Sequence, residues 1–377
     1  MMEPLIPFCK PYLTGKEEIY LKEAVTGREW AGDGPFSRRS TQLLSRLAGK
    51  PVYLTSSGTH ALELAVMALN LEPGSEVILP SFTFSSTANA VVNVGLKPVF
   101  VDIRRDTLNI DETLIEESIT RKTRAVIPVH YAGVGCEMGP ILETATKYGL
   151  KVIEDAAQGI MASYEGKPLG SLGDLGILSF HQTKNITCGE GGAIIVSNPA
   201  YVKAVEIHRE KGTNRTAFLR NETSKYVWLD RGSSYLLGDL LASFLYAQLL
   251  ELDQITQSRK ERFDYYRSEF ESLNGRHLRL PVIPEKCRSN YHLFFVLLES
   301  KGIRDRLMDF LRERGIEATF HFHPLHNAPA AEKFSTSQRP LPVTVEAGET
   351  LLRLPLYPDL QREEQKRIVD AIKDFFS

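Results

Sequence analysis

The sequence has few cysteines, and none of them are spaced as a pair. Only four occur in 377 residues: Cys9, Cys136, Cys188 and Cys287. This scatter, with no CxxC motif, excludes a cysteine zinc site and a dense disulfide framework. We therefore predict free thiols and no metal centre.

Long hydrophobic runs and an excess of one charge are also missing. No stretch approaches the roughly 20 apolar residues needed to cross a bilayer, and the first residues do not resemble a signal peptide. Lys and Arg total 45 against 47 for Asp and Glu, so no basic surplus indicates nucleic acid or a membrane surface. We expect a cytoplasmic protein whose partners are small molecules, with neither nucleic acid nor membrane among them.

The length and the 42% hydrophobic content are sufficient for two domains. From Pro51 onward, short apolar runs alternate with segments of helical spacing, which predicts an α/β fold with a mostly parallel sheet sandwiched by helices. We divide the chain into an N-terminal substrate-facing segment (1–39), a large domain (40–250), and a linking helix with a small α+β domain (251–377). The glycines and the proline of WAGDGPFSRR (residues 30–39) predict a loop in the first segment, which runs through about Arg39, and residues 240–273 have the pattern of one long helix.

The stretch from residue 151 to 192 places polar groups at the ends of buried strands. One apolar run ends at Asp155, and the next, residues 177–180, contains Ser179 and is followed by Lys184. A carboxylate, a hydroxyl and an amine at neighbouring strand ends suit an aldehyde cofactor with a basic ring nitrogen and a phosphate, which is pyridoxal phosphate. A lone lysine in a polar loop is usually only solvated, but a buried aspartate needs a cationic or hydrogen-bonding partner. Glu154 should point to the opposite face of the strand, in a structural role.

Two strand-to-helix turns add candidate cofactor contacts. The turn at Ser56, Ser57 and Gly58 presents free backbone amides to an anion, although a helix cap of this kind needs no ligand. In the next such turn, we choose Phe84 for stacking on a pyridine ring and Phe82 for packing.

The motifs EDAAQ, SFHQTKN and GEGG resemble the aspartate and lysine motifs of the DegT/DnrJ/EryC1/StrS sugar aminotransferases, which are fold-type I pyridoxal phosphate enzymes. The resemblance implies that Lys184 and Asp155 are catalytic. The resemblance also adds Gln158 and Ser234 to the cofactor contacts named in the preceding paragraphs. The full cofactor-binding set is Ser56, Ser57, Gly58, Phe84, Asp155, Gln158, Ser179, Lys184 and Ser234. The substrate-binding residues are Gly34, His181, Tyr235 and His321.

Longer stretches, including FVDIRRDTLNIDETLIE and PVHYAGVGCEM, are similar to family members that act on one sugar. This similarity implies transfer of the amino group of L-glutamate to C4 of dTDP-4-dehydro-6-deoxy-D-glucose. It also implies a homodimer with shared active sites, in which residues 211–235 cross to the neighbouring subunit. Ser234 stands where the family often has asparagine, so it would replace that residue's phosphate contact only weakly.

Several alternatives remain at this level. One alternative is an aminotransferase that acts on another nucleotide keto sugar. A second alternative is a pyridoxamine-dependent sugar dehydratase, but related dehydratases carry His where this chain has Lys184. A non-catalytic regulatory member should have lost some of Asp155, Ser179 and Lys184, and all three are present. The histidines of FHFHPLH (residues 320–326) indicate zinc only weakly, because proline interrupts their spacing and no acidic ligand is close in sequence.

Overall fold

The computed structural model describes residues 4–337 and 339–377. Its strands are β1 Val52–Thr55, β2 Glu76–Pro80, β3 Lys97–Val101, β4 Thr123–Val126, β5 Lys151–Asp155, β6 Ser163–Tyr164, β7 Lys167–Pro168, β8 Leu175–Ser179, β9 Gly192–Val196, β10 Leu278–Arg279, β11 Cys287–Arg288, β12 Phe294–Leu298 and β13 Leu351–Leu354. Its α-helices are α1 Glu17–Gly27, α2 Pro35–Ala48, α3 Gly58–Ala68, α4 Ser85–Val92, α5 Met138–Tyr148, α6 Val202–Arg209, α7 Arg215–Leu219, α8 Asp239–Leu249, α9 Leu252–Phe270, α10 Lys301–Glu313, α11 Pro329–Phe334, α12 Pro342–Thr350 and α13 Arg362–Phe375.

A seven-stranded sheet in the order β1-β9-β8-β5-β4-β2-β3 forms the centre of the large domain. The neighbours from β8 to β3 pair in parallel, whereas β9 runs antiparallel to both β8 and β1. The predicted α/β fold with a mostly parallel sheet between helices is confirmed. Because the parallel strands end at one edge, their terminal residues meet there.

Consecutive residues of the central strands bury their side chains on opposite faces of the sheet. In β8, Leu178 packs into one hydrophobic cluster and Ile177 into the other, and in β9, Ile195 and Ile194 divide in the same way. Helices α2, α5 and α8 cover the first face, and α3, α4 and α6 cover the second. Burial on both faces explains why these strands are continuous apolar runs rather than alternating ones.

A second hydrophobic core lies in the C-terminal part of the chain. The antiparallel sheet β10-β12-β13 packs there with α9, α10 and α13. Helix α9 links the two parts, since Leu252 and Ile255 belong to the core of the large sheet and Phe263 and Phe270 to the smaller core. The domain boundaries at residues 39 and 250 remain predictions.

The loop prediction for the N-terminal segment is wrong beyond residue 34. Helix α2 begins at Pro35, whose fixed φ suits the first position of a helix. The ring of Tyr20 in α1 lies 5.8 Å from that of Phe36 and 5.0 Å from that of Tyr246, centroid to centroid. The segment is therefore helical and anchored on α8.

The single helix predicted over residues 240–273 is also wrong, because it is divided into α8 and α9. The break falls at Glu251, which has non-helical φ and ψ angles of −115° and 18°. Its carboxylate pairs with Lys16, and Gln248 donates to the Tyr12 carbonyl at 2.9 Å. The N-terminal segment thus occupies the angle between the two helices. Among the helices of the described residues, none has the length and apolar character to cross a bilayer.

Candidate active site

A cavity of about 620 Å³ opens at the carboxyl ends of the parallel strands. Asp155 ends β5, Ser179 ends β8, and Lys184 follows β8 in a tight turn; all three line the cavity. The C-terminal part contributes Arg353 of β13 to the same walls. The carboxylate, hydroxyl and amine identified in the sequence therefore share one site.

Asp155 is 5% exposed, and its two carboxylate oxygens are held separately. Oδ2 accepts a hydrogen bond from the Thr87 hydroxyl at 2.8 Å, and Oδ1 accepts one from the Ala157 amide at 3.2 Å. Burial raises the pKa of this carboxyl, while Thr87, Ala157 and the nearby Lys184 ammonium oppose the rise. Both oxygens keep lone pairs for a further cationic donor.

Lys184 is positioned by a turn that a backbone hydrogen bond within the turn stabilises. Its amide donates to the His181 carbonyl at 2.9 Å. Burial lowers the pKa of its ammonium to about 8; Asp155 opposes this, and Arg353 adds to it. A substantial fraction of the amine is therefore neutral, and nucleophilic, near that pH.

Gln158 is oriented by an unusual backbone position. Its side-chain oxygen Oε1 accepts a hydrogen bond from the Ala132 amide at 2.7 Å, and Ala132 has a positive φ of 56°. Since Oε1 is engaged in this way, the two protons on Nε2 are the polar groups that Gln158 offers to the cavity it lines.

The N-terminus of α3 forms an anion cradle against the end of β8. Ser57 caps the helix and accepts from the His60 amide at 3.0 Å, and Ser57, Gly58 and Thr59 line the cavity. A Cβ on Gly58 would lie 2.8 Å from the Ser179 Cβ, so only glycine lets the helix start approach that strand end. The first amides of a helix have no intrahelical acceptor and attract anions.

The two phenylalanines of the second turn have different surroundings. Phe82 is 1% exposed and packs with Tyr131 and Phe322, whereas Phe84 is 63% exposed and lines the cavity. Phe82 therefore packs in the core, and Phe84 is free to contact a ligand, while its stacking on a pyridine ring stays a prediction.

Both predicted substrate histidines line the cavity. His181 Nδ1 lies 2.9 Å from the Thr183 hydroxyl, and its Nε2 lies 3.6 Å from the Glu190 carboxylate. His321 Nδ1 lies 3.2 Å from the Tyr131 hydroxyl. Burial, followed by the charges of Arg353 and Lys184, holds the pKa of His321 well below its ordinary value, so His321 acts as a neutral hydrogen-bonding group.

Glu154 has the structural role expected of it, on the face of β5 opposite Asp155. Its fully buried carboxylate accepts from His130 Nε2 at 2.9 Å and from the amides of Gly170, Leu172 and Gly173 at 2.6–2.9 Å. His130 Nδ1 accepts from the Cys136 amide at 3.1 Å, so the proton on the ring lies on Nε2 and is donated to Glu154.

Gly34 lies away from the cavity and has a structural explanation. A Cβ at this position would lie 2.5 Å from Asp239 Cγ. The Asp239 carboxylate caps α2 by accepting from the Phe36 amide at 3.1 Å and the Ser37 amide at 2.7 Å. The Asp239 cap therefore requires a residue without a side chain at position 34, and the sugar contact of Gly34 stays a prediction.

Three other predicted residues are not brought to the cavity of the same chain. The Ser56 hydroxyl is paired with His60 Nδ1 at 2.7 Å, and Tyr235 is buried with its ring 5.2 Å from that of His60. Tyr235 therefore packs against α3 in this chain, and its substrate contact stays a prediction. Ser234 is exposed, and its backbone forms an isolated antiparallel β-bridge with Glu210. Its contact with a neighbouring subunit stays a prediction.

Sequence reasoning missed several polar residues in the cavity wall. The sequence could have indicated Thr87, because it lies in the first turn of α4, directly after the Phe84 turn. A residue in the first turn of that helix lies close to the same end of the sheet as Phe84. Arg259, His292 and Arg353 come from the C-terminal part of the chain, where no local motif precedes them. Only the packing of that part against the strand ends brings them together with Lys184.

The histidines near residue 321 do not converge on a metal position. His326 Nδ1 lies 2.7 Å from the Ser81 hydroxyl, whereas His321 faces Tyr131. In the part of the chain that the structure describes, no group of three or more His, Cys, Asp or Glu side chains is arranged to hold a metal ion. The four cysteines are free thiols.

Comparison with known proteins relates this geometry to a family. The model of the DegT/DnrJ/EryC1/StrS aminotransferase family matches residues 12–373. An uncharacterized protein of Methanocaldococcus jannaschii, MJ1066, is 34% identical over 383 residues, covering 100% of this chain and 98% of its own length.

Two solved structures superpose over nearly the whole chain. Spr1654 from Streptococcus pneumoniae, provisionally named a sugar aminotransferase, is 27% identical in its PLP form, with a TM-score of 0.90 and 98% of each chain covered; it is also known in a PMP form. DesV of S. venezuelae, solved in complex with a reaction intermediate, is 29% identical, with a TM-score of 0.90 and 99% of each chain covered. The predicted fold type is confirmed by these superpositions.

Proposed function

Because the chain belongs to the DegT/DnrJ/EryC1/StrS aminotransferase family, we propose that it is a pyridoxal phosphate-dependent nucleotide-sugar transaminase. It moves the amino group of L-glutamate to C4 of dTDP-4-dehydro-6-deoxy-D-glucose and gives dTDP-4-amino-4,6-dideoxy-D-galactose. The observation that carries the transaminase assignment is that Lys184 and Asp155 line one cavity and perturb each other's pKa.

Support for the individual sugar comes from sequence similarity. Five stretches of the chain are similar to transaminases that act on this dTDP sugar in the synthesis of enterobacterial common antigen. They are residues 100–116, 128–138, 210–215, 232–236 and 351–356. An aminotransferase for another nucleotide keto sugar is the second candidate, since the same cavity would serve it. We assign the reaction to the cytoplasm, where nucleotide sugars are made.

The residues present fit pyridoxal phosphate at three separate points. The helix start at Ser57, Gly58 and Thr59 suits its phosphate, and the glycine is required there because of Ser179. Asp155 suits a protonated ring nitrogen, and Lys184 suits an aldehyde. When bound, the cofactor supplies that aldehyde and a cationic ring that accepts electrons from the reacting carbon.

Lys184 would hold the cofactor through Nζ and would also move the proton. Its depressed pKa leaves the amine able to react near neutral pH, and Nζ then takes the proton from the donor carbon and later returns one to the sugar carbon. Lys184 is partly buried and lines the cavity together with Asp155, His292 and His321, which limits the access of bulk water to this proton.

Asp155 and Gln158 set the charge and orientation of the ring. The Asp155 carboxylate, held by Thr87 and Ala157, would keep the nitrogen of a bound pyridine ring protonated. Gln158 would offer its Nε2 protons to the phenolic oxygen, because its Oε1 already accepts from the Ala132 amide. Phe84 would hold the ring by stacking.

We also propose a homodimer in which each site lies near the subunit boundary. Residues 211–235 form an arm that is held by backbone bonds, such as Leu229 amide to Gly212 carbonyl at 2.7 Å, yet carries exposed apolar side chains. Trp228 is 80% exposed and Leu229 is also exposed. A contiguous apolar surface of this kind on an ordered arm suits contact with a second copy, where Ser234 would reach the neighbour's cofactor phosphate.

Product analysis tests the proposed function. The purified enzyme is incubated with L-glutamate and a panel of 3-keto and 4-keto nucleotide sugars, and products are identified by mass and by proton couplings. We expect the dTDP 4-keto sugar to be used best, with an axial amine at C4. An equatorial C4 amine would contradict the galacto product, and amination of another sugar would select the second candidate.

A further inference from the structure

Resting on the proposed function, we infer that Arg353 binds the α-carboxylate of the amino donor and so defines a second subsite of the cavity. Arg353 lies on β13 of the smaller sheet and reaches the cavity that contains Lys184. The ligand class is an α-amino acid, recognised through the carboxylate on the carbon that loses its amino group.

The guanidinium of Arg353 is incompletely satisfied by the protein. Its Nε is buried and has no hydrogen-bond partner among the described residues. The bond from Nη2 to the Phe320 carbonyl is long, 3.3 Å, and the guanidinium lies 4.5 Å from the centre of the Phe8 ring. The contact with the Phe8 ring holds the guanidinium, and the donors that the protein does not use remain for a planar anion.

Arg259, which also lines the cavity, differs from Arg353 in that the protein satisfies its guanidinium. Arg259 donates to three backbone carbonyls: Nε to Tyr291 at 3.1 Å, and Nη2 to His292 at 2.6 Å and Leu356 at 3.1 Å. Arg259 thereby fixes the segments that carry the cavity wall. Arg353 has no comparable set of acceptors within residues 4–337 and 339–377.

The electrostatics of the site also call for an anion beside Arg353. Burial lowers the pKa of Arg353 to about 10, and its charge in turn lowers those of Lys184 and His321. A partly buried cation without a carboxylate partner is costly, and a bound carboxylate would offset that cost.

Arg353 and Lys184 line the same cavity, and the charge of Arg353 acts on Lys184, which favours a carboxylate over a diphosphate as the ligand of Arg353. In an amino acid, the carboxylate is attached to the same carbon as the reacting amine, so it must lie close to Lys184 when that carbon reacts. In a nucleotide sugar aminated at C4, the diphosphate is attached at C1, across the sugar ring. An arginine close enough to perturb Lys184 therefore fits the donor's carboxylate, and the sugar's hydroxyl oxygens would accept from the same fork in the second half-reaction.

The test uses donors that differ in one carboxylate. L-Glutamate carries both carboxylates, 4-aminobutyrate lacks the α-carboxylate, and L-2-aminobutyrate lacks the side-chain carboxylate. The donor half-reaction of the holoenzyme is followed by cofactor absorbance for wild type, Arg353→Gln and Arg353→Lys, and the reverse half-reaction with the amino sugar is measured in parallel. A binding readout free of turnover is the affinity of each apoenzyme for the reduced covalent adduct of pyridoxal phosphate with L-glutamate or with 4-aminobutyrate.

We expect Arg353→Gln to lower kcat/KM for L-glutamate by about 10- to 100-fold, the range for losing bonds to a charged group, with a smaller effect in Arg353→Lys. The preference for glutamate over 4-aminobutyrate should collapse, and the apoenzyme should lose affinity for the glutamate adduct but not for the 4-aminobutyrate adduct.

Three results would overturn the assignment: a larger loss with the amino sugar, collapse of the preference over L-2-aminobutyrate instead, or equal loss in both half-reactions. These differ from failure of the proposed function, which would appear as wild-type enzyme inert toward both glutamate and the amino sugar.

Discussion

The hydroxyl of Thr87 donates to Asp155, with Thr87 Oγ1 2.8 Å from Asp155 Oδ2. Thr83 Oγ1 lies 2.9 Å from the same Thr87 oxygen. Since the single proton of Thr87 is given to the carboxylate, Thr83 must donate to Thr87. Two hydroxyls in series therefore stabilise the ionised form of a buried acid.

Thr87→Val tests this positioning role. Loss of the bond should raise the pKa of Asp155 further, because burial already raises it and Thr87 is the largest opposing influence. The acid limb of the pH profile of kcat should move to higher pH, and cofactor affinity should fall roughly 10-fold or more, as expected for a hydrogen bond to a charged group. Thr87→Ser, which keeps the hydroxyl, should restore both; a wild-type pH profile in the valine variant would exclude the role.

Lys184→Ala should abolish both the visible absorbance of the purified protein and transamination. The reason is that this amine attaches the cofactor and carries the proton. Lys147→Ala is the matched control, because Lys147 is exposed and pairs only at the surface with Glu116. Retained turnover in the Lys184 variant would remove the mechanism proposed here.

The pH dependence of cofactor capture follows from the lowered pKa of Lys184. The neutral amine is the reactive form, so the rate at which apoenzyme gains visible absorbance with pyridoxal phosphate should rise with pH and level off above about 8. Arg353→Gln removes a cation that lowers this pKa, so its midpoint should lie at higher pH. A rate that keeps rising toward pH 10 in the wild type would show an ordinary, exposed lysine.

Gly34→Ala should lower stability rather than substrate affinity. The added Cβ would lie 2.5 Å from Asp239 Cγ and displace the cap of α2, at a cost of about 1–3 kcal/mol for such overpacking. Thermal unfolding of the apoprotein measures this, with Gly27→Ala as control, since nothing lies within 4 Å of a Cβ at Gly27. Unchanged melting with a raised KM for the nucleotide sugar would contradict the expected loss of stability and would support the predicted sugar contact.

The proposed dimer is tested on the exposed arm. Leu229→Glu should weaken self-association by roughly 10-fold or more, because burying a leucine contributes about 1.5–3 kcal/mol, and activity should fall with dissociation. Val282→Glu, at an exposed position outside the arm, is the control. An active monomer in sedimentation of the wild type would contradict the role given to residues 211–235.

The sequence predicted those parts of the site that are encoded locally. Asp155, Ser179 and Lys184 each follow a short apolar run, so the strand and its polar end are read together, and the structure places all three in one cavity. Phe84 was distinguished from Phe82 by motif similarity, and their exposure differs accordingly.

What the sequence did not predict depends on contacts between distant segments. Arg353 enters the cavity only because β13 packs against the large domain's strand ends, and no local pattern marks it. Gly34 and Tyr235 were chosen by similarity, but Asp239 and His60, which explain them, lie far away in sequence. The division of residues 240–273 into two helices depends likewise on Lys16 and Tyr12 from the N-terminal segment.

The antiparallel strand β9 has a mechanical consequence for the site. It pairs with β8, which leads to Lys184, and with β1, which leads to the anion cradle. A Cβ on Gly192 would lie 2.4 Å from the Ser57 carbonyl carbon, so β9 packs directly against the start of the anion cradle. Strand pairing in the sheet therefore sets the distance between the Lys184 amine and the anion cradle. A cofactor analogue that lacks the phosphate would bind at the amine only and leave the cradle without a ligand.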